Sequence, residues 1–390
     1  MANHGVYTNS VATSVSTPNE ATSGIPFVIG SAKLSAAPES TRATAGTPVL
    51  ATSYAEAVDQ IGYDDDWAKY TLCEFMYYHF KLAGCQPVIF LPLVPEGSAT
   101  EVTAAQVAAA VDSIDLCMAR FGIIPDLILA PGFSDQATVA AAMATKIAAV
   151  NGLFHGKAVV DIAAASHTAA ITAKNGGSYT KDMIVCWPMA KLGDLKFHMS
   201  TVLAGRMAQT DVDNDGVPYE SPSNKPVSID SLVNTSSSEI VLTLAQANAL
   251  NAAGINTCLN FIDGWKAWGN YTGSAPSDTD VKNYLIPIAR MFDWVGNSLI
   301  KTFWTHLDDP MNRLLVDTIL DSVNIWLDGL VGSGYLLGAR CEMLASENPL
   351  TNLMAGIIKL HVYMTPPAPA QEIDFALEYD ASYVQSALMG

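Results

Sequence analysis

Asp211, Asp213 and Asp215, followed by Gly216, match the first, third, fifth and sixth positions of a loop that wraps calcium when a bidentate glutamate stands at position twelve. Position twelve here is Pro222, and Glu220 falls two places early, so an Asp/Asn/Gly-rich surface turn accounts for the same residues. Gly332, Gly334 and Gly338 are spaced one residue too widely for a dinucleotide-binding turn. They also pass from a helix to a strand, the reverse of what that turn requires, and read as a helix stop. Asp64, Asp65 and Asp66 before Trp67 could gather a cation, but acidic residues at a helix N-terminus complement its dipole and need no ion.

The histidines at 4, 79, 155, 167, 198, 306 and 361 are scattered, and no GxSxG or HExxH pattern is present. A Ser/His/Asp set could arise only through folding. His79, in the aromatic run 75–80, reads as a packed histidine rather than a base. Six cysteines, at 73, 85, 117, 186, 258 and 341, form no CxxC pair, which excludes a zinc module or disulfide scaffold and fits a reducing compartment. The expectation is no catalytic residue, no cofactor and no metal.

Composition narrows the partners. With 38 acidic against 20 basic residues in 390, the formal net charge of −18 opposes binding to a phosphate backbone, so nucleic acid is not an expected partner. Half the chain is apolar, enough for a folded core. The mean hydropathy of +0.23 comes from Ala-rich helices and short strands such as 88–94, too short to cross a bilayer, so no membrane is expected either. Residues 1–5 carry no secretion-signal character, which leads to assembly in a cytoplasm.

The elements fall into five segments. Residues 1–50 read as an arm and linker in which Val6, Tyr7, Val11 and Val15 could lie in an extended strand that lacks a local partner. Residues 51–212 alternate short apolar strands (88–94, 127–130, 158–162, 183–187) with helices (103–121, 135–150, 168–174, 197–209), implying an α/β domain with a mostly parallel sheet. A polar loop, 213–238, leads to an α+β region at 239–370. That region has strands near 240–242, 255–261, 265–268, 335–343 and 357–364, and a short helix at 245–253. Two long helices are expected at 280–303 and 310–327, the second with Pro310 in its first turn and Gly329 past its end. After the stiff run 366–369, residues 371–390 form a second arm. There Ile373, Phe375, Leu377 and Tyr379 alternate with polar residues as in a half-buried strand.

Leu250, Asn251, Gly254, Ile255 and Asn256, then Trp268, Gly269, Asn270 and Thr272, resemble the "LN..GIN" and "WGNRT" signatures of contractile phage tail sheath proteins, a family that includes R-type bacteriocin sheaths. Pro310, Gly334 with Tyr335, Gly356 and Pro366 extend the similarity, as do 218–224 and His4–Val6 with 24–26. Tyr271 departs from it, standing where the signature has arginine.

The resemblance implies an outer α/β domain, an inner C-terminal α+β domain and extended strand arms at both ends. It implies a structural subunit, not an enzyme, that stacks as hexameric rings into a helical sleeve. Neighbours would exchange the arm strands, Val6, Tyr7, Val11 and Val15 at one end and Ile373, Phe375, Leu377 and Tyr379 at the other. Implied partners are the chain itself, the tail tube protein, and baseplate and tail terminator proteins, in a virion tail or a released contractile particle. The competing reading from another class is an α/β, hydrolase-like enzyme whose tail strands pair at home.

Overall fold

Residues 19–389 are described by the computed structural model; Val6, Tyr7, Val11 and Val15 lie outside them. In chain order the first half supplies β1 (Pro26–Ser31), β2 (Val49–Ala51), α1 (Tyr54–Ile61), α2 (Thr71–Tyr77), β3 (Val88–Leu93), α3 (Ala104–Ala110), α4 (Leu116–Phe121), β4 (Leu127–Leu129), α5 (Ala137–Ile147), β5 (Lys157–Asp161), α6 (His167–Gly176), β6 (Met183–Cys186), β7 (Met189–Leu192), β8 (Leu195–Phe197) and α7 (Met199–Asp213). The second half adds β9 (Ser231–Val233), β10 (Glu239–Ile240), α8 (Leu244–Ala252), β11 (Ile255–Asn260), β12 (Trp265–Trp268), α9 (Val281–Tyr284), α10 (Ile286–Phe303), α11 (Arg313–Gly332), β13 (Gly338–Glu342), α12 (Leu350–Met354), β14 (His361–Thr365) and α13 (Ser382–Met389).

Eight strands form one sheet in the order β12-β11-β6-β5-β4-β1-β3-β2. Neighbours from β11 to β3 are parallel, and β12 and β2 close the two edges antiparallel. Its central strands β1, β3, β4, β5 and β6 are buried from end to end and mostly apolar, because helices cover both faces. Along β1, Phe27 and Ile29 enter a core shared with α3 and α5, while Val28 points into the opposite core with α2 and α7.

Two of the boundaries expected from the sequence do not coincide with breaks in this sheet. β1 lies within the segment expected as arm and linker, yet all six of its residues are buried and it pairs with β3 on one side and β4 on the other. β11 and β12, expected in a separate α+β region, continue the sheet beyond β6. Parallel strands are satisfied by partners distant in sequence, and β6 without β11 would present an unpaired edge.

A second sheet, β10-β9-β7-β8, is antiparallel. Beyond it stands a third unit with its own core. Met291, Trp294 and Val295 of α10 meet Val323, Trp326, Leu327 and Leu330 of α11, with Cys341 of β13 against them.

Element ends differ from expectation in instructive ways. Asn312, not Pro310, starts α11, its side chain accepting the Leu315 N–H at 2.9 Å, and the helix runs through Gly329 to Gly332. The long helix expected at 280–303 breaks at Leu285, whose extended backbone separates α9 from α10. The helix expected at 103–121 is interrupted by a 3₁₀ turn at Val111–Asp115. Residues 366–380 form no strand and make no backbone–backbone hydrogen bond to the described chain. The alternating pattern there is real, but a strand exists only with a partner to pair with.

Candidate assembly surfaces and the frame that holds them

The signature residues converge on one buried joint. Gly254 ends α8 with φ +79°, where a Cβ would stand 2.9 Å from the Thr272 carbonyl oxygen. Asn256 of β11 donates from its side chain to the carbonyls of Val185, at 3.1 Å, and Tyr271, at 2.9 Å. Gly269, with φ +139°, lies so close beneath Asn256 that a Cβ would come within 2.4 Å of the Asn256 Oδ1. The Asn270 N–H donates to Asn251 at 2.9 Å, and the Ser221 hydroxyl bonds the Asn270 side chain. The Asn270 carbonyl accepts the first amide of α10, that of Ile286, at 2.8 Å. Thr272, fully buried, donates to the Asn283 carbonyl at 2.7 Å. Tyr271, in place of arginine, makes an edge-to-face contact with Tyr284, ring centroids 5.5 Å apart. Together these bonds fix α8, β11 and the start of α10 to one another, and so place the third unit against the sheet.

Two ion clusters reinforce that junction, and sequence reasoning missed both. Arg290 of α10 donates to Asp211 of α7 at 2.5 and 3.0 Å and to Asp126, just before β4, at 2.7 Å. Burial holds the Asp211 carboxyl above the usual carboxylate range against the pull of Arg290. Lys157 of β5 lies 2.7 Å from Asp293 of α10 and 3.4 Å from Asp182. A lone arginine inside an apolar helical run, residues 286–295, was the available signal.

The exposed part of the third unit is a two-stranded antiparallel hairpin, β13 with β14. Ala339, Cys341, Val362 and Met364 turn toward α10 and α11. On the other face Arg340 lies over the Tyr363 ring at 3.9 Å, and Tyr363 stacks on His361 at 4.2 Å. Neither strand has a second neighbour among the described residues. Pro366, buried, follows β14 directly and leads to Ile373, Phe375, Leu377 and Tyr379, which are 71, 79, 96 and 80% exposed. Further large apolar side chains stand exposed around the same unit, among them Trp304, Leu307, Leu314, Leu350 and Met354.

Several of the groups singled out for chemistry in the sequence serve other contacts among the described residues. Asp211 belongs to α7 and is occupied by Arg290, which removes it from any calcium loop. Asp64 pairs with Lys33 at 2.5 Å instead of facing a helix N-terminus, since α2 begins only at Thr71. Gly332 ends α11, and Gly338 opens β13. His79 is wholly buried, stacked on Phe75 at 5.1 Å, and burial pushes its pKa down to about 3. All six cysteines are buried and free, and burial holds the Cys73 thiol up at about 11.

Folding does gather one polar cluster at the carboxyl ends of the parallel strands, where α/β enzymes hold substrates. His198 donates through Nδ1 to Glu74 at 2.8 Å. Asp161 accepts from the hydroxyls of Ser134, at 3.1 Å, and Ser200, at 2.5 Å. Burial alone would lower the His198 pKa, but the Glu74 carboxylate, with Asp161 and Asp135 behind it, raises it to about 9. An imidazolium is not a general base at neutral pH, and both serines bond to Asp161 rather than to the histidine. The cluster therefore ties α2 to the start of α7, and the hydrolase-like alternative gains no nucleophile–base pair among the described residues.

Comparison with known proteins gives the same direction. No protein-family model matches the chain. It is 25% identical over 311 residues, 73% of its length, to the tail sheath protein of Burkholderia phage BcepMu, and that match spans 63% of the phage protein, less than two thirds. It is 26% identical over 355 residues to a prophage major tail sheath protein of Pseudomonas aeruginosa, covering 87% of this chain and 88% of that one. Among solved structures, the contracted helical sheath of the anti-feeding prophage superposes with a TM-score of 0.71 at 19% identity, covering 97% of this chain and 100% of the other. The contracted sheath of the PVC extracellular contractile injection system gives 0.71 at 17% identity, covering 98% and 99%. In sequence this chain is thus similar to proteins named as tail sheath proteins, and in fold to contractile sheath subunits along nearly its whole length.

Proposed function

We propose that the chain is the structural subunit of a contractile tail sheath, polymerising as stacked hexameric rings around a tail tube and driving that tube through a target envelope when the sleeve contracts. The observation that carries this reading is a tail bearing four exposed apolar side chains that follows a hairpin whose two edges have no further partner among the described residues. An isolated two-stranded sheet is marginal, and a strand added from another copy would satisfy its open main-chain groups. Ile373, Phe375, Leu377 and Tyr379 are the donated residues at this end, and Val6, Tyr7, Val11 and Val15 at the other. The exchanged strands hold while the bodies re-pack, so contraction is a one-way change of packing that needs no nucleotide.

On this reading the third unit faces the tube, the α/β body faces outward, and baseplate and terminator proteins bind the ends of the sleeve. Assembly takes place in a bacterial cytoplasm, and the product is a virion tail or a released particle. Among the described residues no helix is long and apolar enough to cross a membrane. Negative-stain microscopy of the purified chain, with crosslinking to a tube protein, tests the reading. It predicts hollow sleeves and crosslinks from α10 or α11. Monodisperse monomers at high concentration, or crosslinks confined to the α/β body, would refute it.

A further inference from the structure

Arg290, Trp294, Ser298 and Thr302 stand four residues apart along α10 and therefore form one stripe on a single helix face. Each faces the segment Asn19–Ile25, which runs along the helix in the opposite direction. The Asn19 N–H donates to Thr302 Oγ1 at 2.9 Å and the Ala21 N–H to Ser298 Oγ at 2.8 Å. Trp294 Nε1 donates to the Ala21 carbonyl at 2.8 Å. The Ile25 N–H donates at 2.9 Å to Asp126, the carboxylate that Arg290 also grips. From the flanks, Lys301 donates to the Glu20 carbonyl at 2.7 Å, Trp326 of α11 to the Glu20 carboxylate at 3.0 Å, and the Ser23 hydroxyl to the Gly216 carbonyl at 2.5 Å. Gly24 is required where the segment crosses α7, because a Cβ there would lie 2.9 Å from the Ala208 Cα and 3.0 Å from Asp211 Oδ2, at a φ of +70°.

We propose that Asn19–Ile25 is a strap that delivers the pull of the amino-terminal arm into α10, and through Arg290 into the sheet body, instead of into β1. The strap deepens the sheath reading and rests on it, since the pull comes from a neighbouring copy that holds the arm. The geometry suits the task. The bonds run from the strap sideways onto the helix, so tension along the strap loads several of them together, where a peeling contact would break one at a time. A hinge of this kind also makes the third unit and the arm of one subunit move as one body during contraction, with the signature joint as the fixed end.

The test uses the full chain carrying Ser298→Ala and Thr302→Val. These changes remove the two side-chain acceptors and leave the apolar side of α10 intact. In the unassembled protein, hydrogen exchange at the amides of Asn19 and Ala21 is expected to rise by up to about tenfold, with the β1 amides of Phe27 and Ile29 unchanged. In microscopy the variant is expected to give markedly shorter sleeves than the wild type. Unchanged exchange, or a loosened strap with sleeves of normal length, would overturn the proposal. Should the double variant also lose β1 protection, Thr302→Val alone, at the exposed end of the strap, decides by the same two readouts. A wild-type chain that forms no sleeves would count against the sheath reading, while the exchange data still judge whether the strap is held by α10.

Discussion

Gly269 shows how much a single position can carry. Its backbone is in a region that side chains rarely adopt, and the space a methyl group would need is filled by Asn256. Asn256 cannot retreat without surrendering its bonds to Val185 and Tyr271, which fasten β11 to β6 and to the loop before α9. Gly269→Ala is therefore expected to cost roughly 2–4 kcal/mol, read as a lowered midpoint in urea denaturation, because strain and the loss of buried hydrogen bonds add. A midpoint within experimental error of the wild type would show that the joint is softer than its geometry. The signature letters were visible in the sequence. Their reason, a mutual contact between residues 13 apart in the chain, becomes visible only once β11 and β12 pair.

At the scale of elements, Glu74 on α2 and His198 at the start of α7 give a pH-dependent clasp between the helices on one face of the sheet. His198 is charged in the folded protein up to about pH 9, whereas its unfolded value is 6.5. Its folded pKa is raised, so the stabilisation is fully present below about pH 6.5 and is lost as pH rises through about 9. With the partial exposure of the imidazole discounted, the wild type should lose about 1–2 kcal/mol between those limits in denaturant titrations, and Glu74→Gln should flatten the dependence. An equal slope in both proteins would remove the clasp.

What could be read ahead of the fold follows the same physics. The strands at β3 to β6 and β11 to β12 and most helices of the body were legible, since continuous apolar runs and helical periodicity are local signals. β1 was masked by its Ser/Thr/Ala-rich surroundings, and its place between β3 and β4 depends on partners 60 to 100 residues away. The ion clusters around Arg290 and Lys157 were hidden for the same reason, because acidic residues scattered along a chain do not announce which cation they will meet. The tail from 372 to 379 was legible as an alternating pattern, but that pattern specifies a face, not a partner.

Among the described residues, the body is closed and the third unit is open: buried cores on both faces of the large sheet contrast with a hairpin that has no further strand partner, exposed apolar side chains and an exposed tail. Such a distribution suits a subunit whose stability comes from its body and whose function comes from its neighbours. Each of the four apolar tail residues would contribute on the order of 1.5–3 kcal/mol on burial in an assembly, before ordering costs. They contribute almost nothing to the isolated chain, where they face solvent. Truncation after Pro369, followed by thermal melting and by microscopy, separates the two roles. The account predicts a melting temperature within about 2 °C of the full chain and no sleeves; a fall of more than roughly 5 °C, or sleeves that still assemble, would contradict the exchange of the carboxyl-terminal strand between subunits.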